Sequence, residues 1–285
     1  MANIRLIKRR IRSVQSTSKI TRAMEMVATS RMKRTQMRML ATRPYAEKMV
    51  EMLCDLAAQP RPEGTLNPLL ERREVKNVTV VLITSDRGFC GGLNTNVNRA
   101  VSEFILKQSA PVKLITVGRK GRDFMCRRGQ NVVAEFTGLG DQPVVADTTA
   151  ISRLVIDDYS AGKTDLVYVA YPKFVNVVSQ RPALEELLPV EPEAGARRKH
   201  VQEYIYEPSS AFVLDKLLPR YVEMEIFHAI LETIASEQAA RMVAMRNATD
   251  NANQIIQELT LVYNKARQEM ITKELLDIAG GMAQG

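Results

Sequence analysis

From Arg220 to Ala279 the chain runs 60 residues without a glycine or a proline. Nothing in that stretch ends a helix, and as a single helix at about 1.5 Å per residue it would extend roughly 90 Å. That exceeds the width of an ordinary domain, so much of it must project. The other terminus has the same character: between Met1 and Gln59 the only helix breaker is Pro44. All 14 glycines lie at residue 64 or later, and none falls between Gly195 and Gly280. Two uninterrupted terminal stretches therefore flank a middle punctuated by turn residues.

Apolar spacing supports helices at both ends. Ile4, Ile7, Ile11 and Val14 step by three and four, and Ser18, Thr21, Met24 and Ala28 continue the stripe with smaller groups. Leu231, Ile234, Gln238, Met242, Met245, Thr249, Ala252, Ile256, Leu259, Tyr263, Ala266 and Met270 do the same at the far end. Alternating steps of three and four form a seam of the coiled-coil kind. One helix enters the middle domain and the other leaves it, so if they pair along their length they run antiparallel.

Between them, "NVTVVLIT", "PVKLITVG", "NVVAEF", "DLVYVAY" and "FVNVVSQ" read as strands rich in branched residues. "TNVNRAVSEFILKQ", "RKGRDFMCRR" and "ADTTAISRLVIDDYSAG" read as intervening helices. "LLPVEPEAGARRKH" reads as a surface loop before a last strand, "EYIYEP". Strand–helix alternation predicts an open Rossmann-like sheet. The expected fold class is α/β: a long antiparallel coiled coil of N- and C-terminal helices plus a central Rossmann-like domain. The expected division is an N-terminal helix over 1–59, a linker over 60–74, the α/β domain over 75–208 and a C-terminal helix over 209–285.

"SDRGFCGGLN", residues 85 to 94, is a glycine-rich turn between a strand and a helix, the layout that cradles phosphate in many nucleotide enzymes. Its details exclude the familiar versions. A phosphate loop needs Lys and Ser or Thr after the last glycine, and here Leu93 and Asn94 follow Gly92. A dinucleotide fingerprint needs G-x-G-x-x-G, which Gly88, Gly91 and Gly92 do not provide. Cys90 has no histidine nearby in sequence to activate it, since the chain holds only His200 and His228. No His or Cys pair stands at metal-ligand spacing. The expectation is a chain with no catalytic residues, metal or cofactor of its own, whose loop only turns a corner.

Charge is concentrated rather than spread. Residues 1–43 hold twelve Lys or Arg and a single acid, Glu25, a surplus of +11 in a chain whose net charge is +8. Residues 220–279 hold six basic and nine acidic side chains, which can neutralise part of that surplus. The remainder implies an acidic partner: nucleic acid, anionic lipid or acidic protein segments. Nucleic acid fits poorly, because single-strand binders interleave aromatics with their cations and residues 1–43 contain no Phe, Tyr or Trp. A basic-zipper reader does not run into a globular domain. No window approaches a membrane span, the N-terminus lacks a secretory signal, and the scattered Cys54, Cys90 and Cys126 suit a reducing compartment.

Long motifs carry a resemblance. "KITRAMEMVATSRMKR", "ITSDRGFCGGLN", "SEQAARMVAMRNATDNA" and "LVYNKARQEMITKEL" resemble the gamma-subunit family of the F-type (proton-translocating) ATP synthases, the central rotor shaft. The similarity runs from residue 1 to the last few residues. It departs at "DIAGGMAQ", where Gly280 and Met282 stand in place of the family's common Ser and Ala. The resemblance implies a coiled coil inside a hexamer of alternating alpha and beta subunits, and a foot set with the epsilon subunit on the membrane ring of c subunits. The ATP chemistry belongs to the beta subunits, with no nucleic acid involved and membrane contact only through the complex.

It also implies residue roles. Lys19, Arg22, Met24, Arg31, Lys33 and Arg34 match the segment facing acidic levers on beta. Gln238 and Arg241 match the facing C-terminal segment, and Arg267, Gln268 and Thr272 the part gripped higher up by catch loops. Tyr204, Tyr206 and Glu207 match the foot stretch near the ring's polar loops. No cysteine pair of the chloroplast regulatory kind is present, and the start at Met1 without a transit extension resembles bacterial members. The expected location is peripheral, on the cytoplasmic face of the bacterial plasma membrane.

Overall fold

The structure is a computed structural model that describes residues 4–57, 67–190 and 206–282. Helix α1 spans Ile4–Ala57 and is followed by a short 3-10 turn, Pro68–Leu70. Then come β1 (Val78–Ile83), α2 (Leu93–Lys107), β2 (Val112–Val117), α3 (Arg119–Arg127), β3 (Val132–Phe136) and α4 (Val145–Ser160). A hairpin of β4 (Leu166–Phe174) and β5 (Gln180–Leu188) precedes helix α5, Ser210–Met282. The chain forms two compact units, residues 1–29 with 241–285, and residues 30–240.

The first unit is a helix pair. Ser18 donates to Asn253 Oδ1 at 3.0 Å, and Thr21 meets Thr249 hydroxyl to hydroxyl at 2.6 Å. Partner numbers fall along α5 as they rise along α1, so the helices are antiparallel. The stripe read from the sequence is the one that packs: Ile4, Ile7, Ile11, Val14, Ser18, Thr21, Met24 and Ala28 are all buried or half-buried. Their neighbours Leu6, Ile20, Met26 and Val27 are exposed. On α5 the buried side follows Met245, Thr249 and Ala252 and continues, half-buried, through Ile256, Leu259, Tyr263 and Ala266. Met270, also expected in the seam, is exposed.

The second unit is built on one five-stranded sheet of order β3-β2-β1-β4-β5. β1, β2, β3 and β4 pair in parallel, and β5 joins β4 antiparallel. Central β1, VTVVLI, is buried at every position, as a parallel strand covered on both faces must be. Val80 and Leu82 face α2 and α3 through Val97, Val101 and Met125. Val81 and Ile83 face the larger core, which α4 enters through Ile151, Val155 and Tyr159. The same core takes Met49, Leu53 and Leu56 from α1, and Leu214, Leu218, Val222, Ile226 and Ile230 from α5, spaced by fours. From Ala229 to Ala239 every residue of α5 is buried, polar ones included.

Two expectations are corrected. "FVNVVSQ" is a hairpin turn rather than a strand: Asn176 Oδ1 accepts the amides of Val178 and Ser179 at 2.9 and 2.7 Å, a local bonding pattern that competes with a ladder. The strand follows it as QRPALEELL, whose Pro182 is tolerated because β5 is a sheet edge. Of "EYIYEP", residues 203–205 lie outside the described residues, and Tyr206 to Pro208 form no strand. Pro44 and Pro219 lie inside α1 and α5 without ending them. A proline costs a helix interior about 3 kcal/mol. Here Met49, Leu53, Leu214 and Leu218 anchor the flanking turns in the core.

Candidate functional site

The glycine-rich loop bonds to itself. Ser85 N donates to Asn94 Oδ1 at 3.1 Å, Asn94 Nδ2 donates to Ser85 Oγ at 2.7 Å, and Ser85 Oγ lies 2.7 Å from the Arg87 carbonyl. Cys90 is buried beneath them. A space of about 270 Å³ opens beyond the carboxyl ends of β1, β2 and β3, where open α/β sheets receive ligands. Asp86 occupies its donors. One carboxylate oxygen accepts the Arg119 amide that opens α3, and the other accepts the Gly138 amide, both at 2.9 Å. The end of a helix that would attract a phosphate is capped by the chain's own anion. Behind it, the turn that leads from β2 into α3 lies so close to the end of β1 that a Cβ on Gly118 would stand 2.1 Å from the Thr84 carbonyl oxygen.

The residues expected to meet partners fall into distinct settings. Lys19, Arg22, Lys33 and Arg34 are exposed on α1, and no described carboxylate pairs with them. Met24 is half-buried in the seam. Arg267, Gln268 and Thr272 are exposed on α5. Gln238 and Arg241 stand in the interior, 1% and 8% exposed, where side chains serve the chain's own packing. Tyr206 is half-buried against the larger core, Glu207 is exposed, and Tyr204 lies outside the described residues.

Arg31 is half-buried and has a partner within the chain. Its guanidinium forms an ion pair with Asp141 Oδ2, while Asp141 Oδ1 lies 3.4 Å from Gln238 Nε2. Next to it, Gln142 Oε1 accepts from Arg38 Nη2 at 2.9 Å. One short loop between β3 and α4 thus bonds to both long helices. Sequence reading missed it. The local signal is "GLGDQ", a pair of glycines ahead of two side-chain acceptors, both in left-handed backbone at φ 81° and 76°. Nothing local says which helices those acceptors reach, since Asp141 is 110 residues from Arg31 and 97 from Gln238.

A second polar group sits where α5 crosses the β4–β5 hairpin. Glu232 accepts the Phe174 amide at 3.0 Å and Ser236 donates to the Pro172 carbonyl at 2.8 Å, so the helix ties off the end of β4. Glu185 accepts from Tyr171 at 2.7 Å and Lys173 at 2.8 Å. Burial pushes its acidity the other way, but these bonds hold its pKa below the ordinary value. Glu225 has no such donor, and desolvation raises its pKa.

A family model described as ATP synthase matches residues 3–284. The ATP synthase gamma chain of Dehalococcoides mccartyi is 59% identical over 283 residues, which are 99% of each chain. A chain from the central stalk and c-ring of the Tetrahymena thermophila mitochondrial ATP synthase superposes with a TM-score of 0.61 at 28% identity, covering 80% of this chain and 99% of that one. One from the Euglena gracilis mitochondrial ATP synthase, in an OSCP, F1 and c-ring assembly, shares the fold with a TM-score of 0.70 at 22% identity, covering 98% and 93%. On this evidence, the chain belongs to the ATP synthase gamma-chain family.

Proposed function

We infer that this chain is the central-stalk subunit of an F-type ATP synthase, coupling rotation of a membrane ring to the catalytic cycle. The observation that carries the reading is the antiparallel seam of α1 and α5, matched over its full length to gamma chains. The sleeve around such a shaft is a hexamer of alpha and beta subunits, and the exposed cations Lys19, Arg22, Lys33 and Arg34 supply the charge that acidic levers on beta would meet. Met24 packs the seam beside them. Arg267, Gln268 and Thr272 offer polar groups to catch loops nearer the end of α5. Gln238 and Arg241 act from inside, holding the helix that carries the contacts. Tyr204, Tyr206 and Glu207 belong to the stretch assigned to epsilon and the c-ring.

The subunit itself is non-catalytic. A self-bonded loop and an internally capped α3 support that reading, with ATP chemistry assigned to beta. Among the described residues no helix is long and apolar enough to cross a membrane. We read its attachment as peripheral, through the ring, on the cytoplasmic face of a bacterial membrane.

Reconstitution tests it. Alpha and beta subunits from the same source are mixed with and without this chain, and assembly and ATP hydrolysis are followed. One copy per hexamer, with hydrolysis dependent on its presence, is the expected result. Failure to associate overturns the reading.

A further inference from the structure

We propose that the β3–α4 loop, residues 137–142, is a torque strut between the sheet and the two long helices, with Asp141 as its positioning residue. The proposal rests on the rotor reading and concerns only the unit of residues 30–240. At its base the loop is fixed to the sheet: Gly138 N donates to Asp86 at 2.9 Å, and the same carboxylate holds the start of α3. Leu139 packs against the larger core. At its tip Asp141 takes Arg31 of α1 on one oxygen and Gln238 of α5 on the other, and Gln142 takes Arg38 about two turns further along α1. Gly138 and Gly140, at φ 81° and 76°, bend the chain so that both acceptors point outward while the base stays bonded.

The chemistry suits holding an angle better than holding helices together. Apolar burial draws α1 and α5 to the sheet but is non-directional. Hydrogen bonds weaken steeply off line. Three side-chain bonds from one loop, reaching two helices, resist rotation of either helix against the sheet. The Arg31–Asp141 pair is about one-third exposed on each side, so its part in stability is small and its part in geometry is separable from it. If the two helices turn inside a sleeve, this loop is where the sheet grips α1, and it joins the Glu232 and Ser236 bonds to β4 in gripping α5.

The test uses the complete complex with its membrane ring, comparing ATP-driven proton pumping with ATP hydrolysis. Asp141→Ala is expected to lower pumping per ATP hydrolysed about threefold with assembly intact. The exchanged pair Arg31→Asp with Asp141→Arg is expected to recover part of that loss, which a merely structural defect would not show. An unchanged pumping ratio in an Asp141→Ala complex that assembles normally overturns the strut. If the wild-type chain fails to assemble at all, the rotor reading falls instead. The strut is then judged in the full free chain by amide hydrogen exchange over Ala229–Ala239: faster exchange in Asp141→Ala supports it, and unchanged exchange overturns it.

Discussion

Thr21 and Thr249 face each other across the antiparallel helices with their hydroxyls 2.6 Å apart, both buried, in a seam whose other residues are mostly apolar. Each hydroxyl also reaches its own helix, Thr21 the Ser18 carbonyl at 3.1 Å and Thr249 the Met245 carbonyl at 2.9 Å. The pair sets register, because sliding either helix by a turn would set a buried hydroxyl against an apolar side chain.

Thr21→Val or Thr249→Val alone should cost about 1 kcal/mol, the loss of the hydrogen bond between the two hydroxyls. The double valine variant should lose less than the sum of the two, by roughly 0.5 kcal/mol or more. Denaturant unfolding of the four chains gives the comparison. Strict additivity would mean that the two hydroxyls ignore each other.

Gly118 and Gly91 make a matched pair of tests. Both have positive φ, 100° and 58°, but a Cβ on Gly118 collides with the Thr84 carbonyl while one on Gly91 meets nothing within 4 Å. Gly91→Ala should therefore cost only the backbone penalty, about 1–2 kcal/mol. Gly118→Ala should cost about 4 kcal/mol or more, since the turn into α3 must move off the end of β1. Equal melting temperatures for the two variants would refute the close packing of α3.

Glu225 predicts a pH dependence with a definite sign. Burial raises its folded pKa above the unfolded value, opposed by His228 and Lys173 and reinforced by Glu185. Over the interval between the two values the folded chain binds the extra proton, so stability falls as pH rises from the ordinary glutamate range through the raised pKa. Glu225→Gln should remove that fall and be the more stable chain at neutral pH. Melting temperatures measured from pH 4 to pH 8 are the check, and parallel curves for the two chains would count against it.

The exposed cations of α1 should matter for coupling more than for folding. Arg34→Glu reverses a charge with no described carboxylate partner, so the free chain should melt within about 0.5 kcal/mol of the original. In the assembled complex ATP-driven proton pumping should drop about two- to fivefold, the scale of one exposed ion pair lost. Normal pumping would remove Arg34 from the set of contacts.

What the sequence disclosed follows from how local each signal is. The step of three and four from Ile4 to Ala28 is a property of one helix, and the buried face follows it residue for residue. β1 was legible for the same reason: five apolar residues and one β-branched threonine, with no charge among them, suit a strand covered on both sides. The edge strand β5 hid behind the opposite pattern, a proline and two adjacent glutamates, because an edge can leave them in solvent. "FVNVVSQ" misled because its valines are a strand's residues, whereas Asn176 folds the backbone back on itself and leaves Val175 and Val178 exposed. The prolines at 44 and 219 lie inside helices that were expected to run past them, where packing on the core outweighs one missing helical bond. Asp141 could not be found locally at all.

Asp86 gives the sheet a different status from its look-alikes. Where a free anion caps a helix, occupancy follows concentration, and the site empties when the ligand is diluted away. A carboxylate carried on the adjoining strand end is always present at its own site, since its encounter with the Arg119 and Gly138 amides is intramolecular. No metabolite level can loosen that joint and no wash can extract its occupant. A layout that elsewhere serves reversible exchange is here a permanent fastening, as a part that must turn without slipping requires.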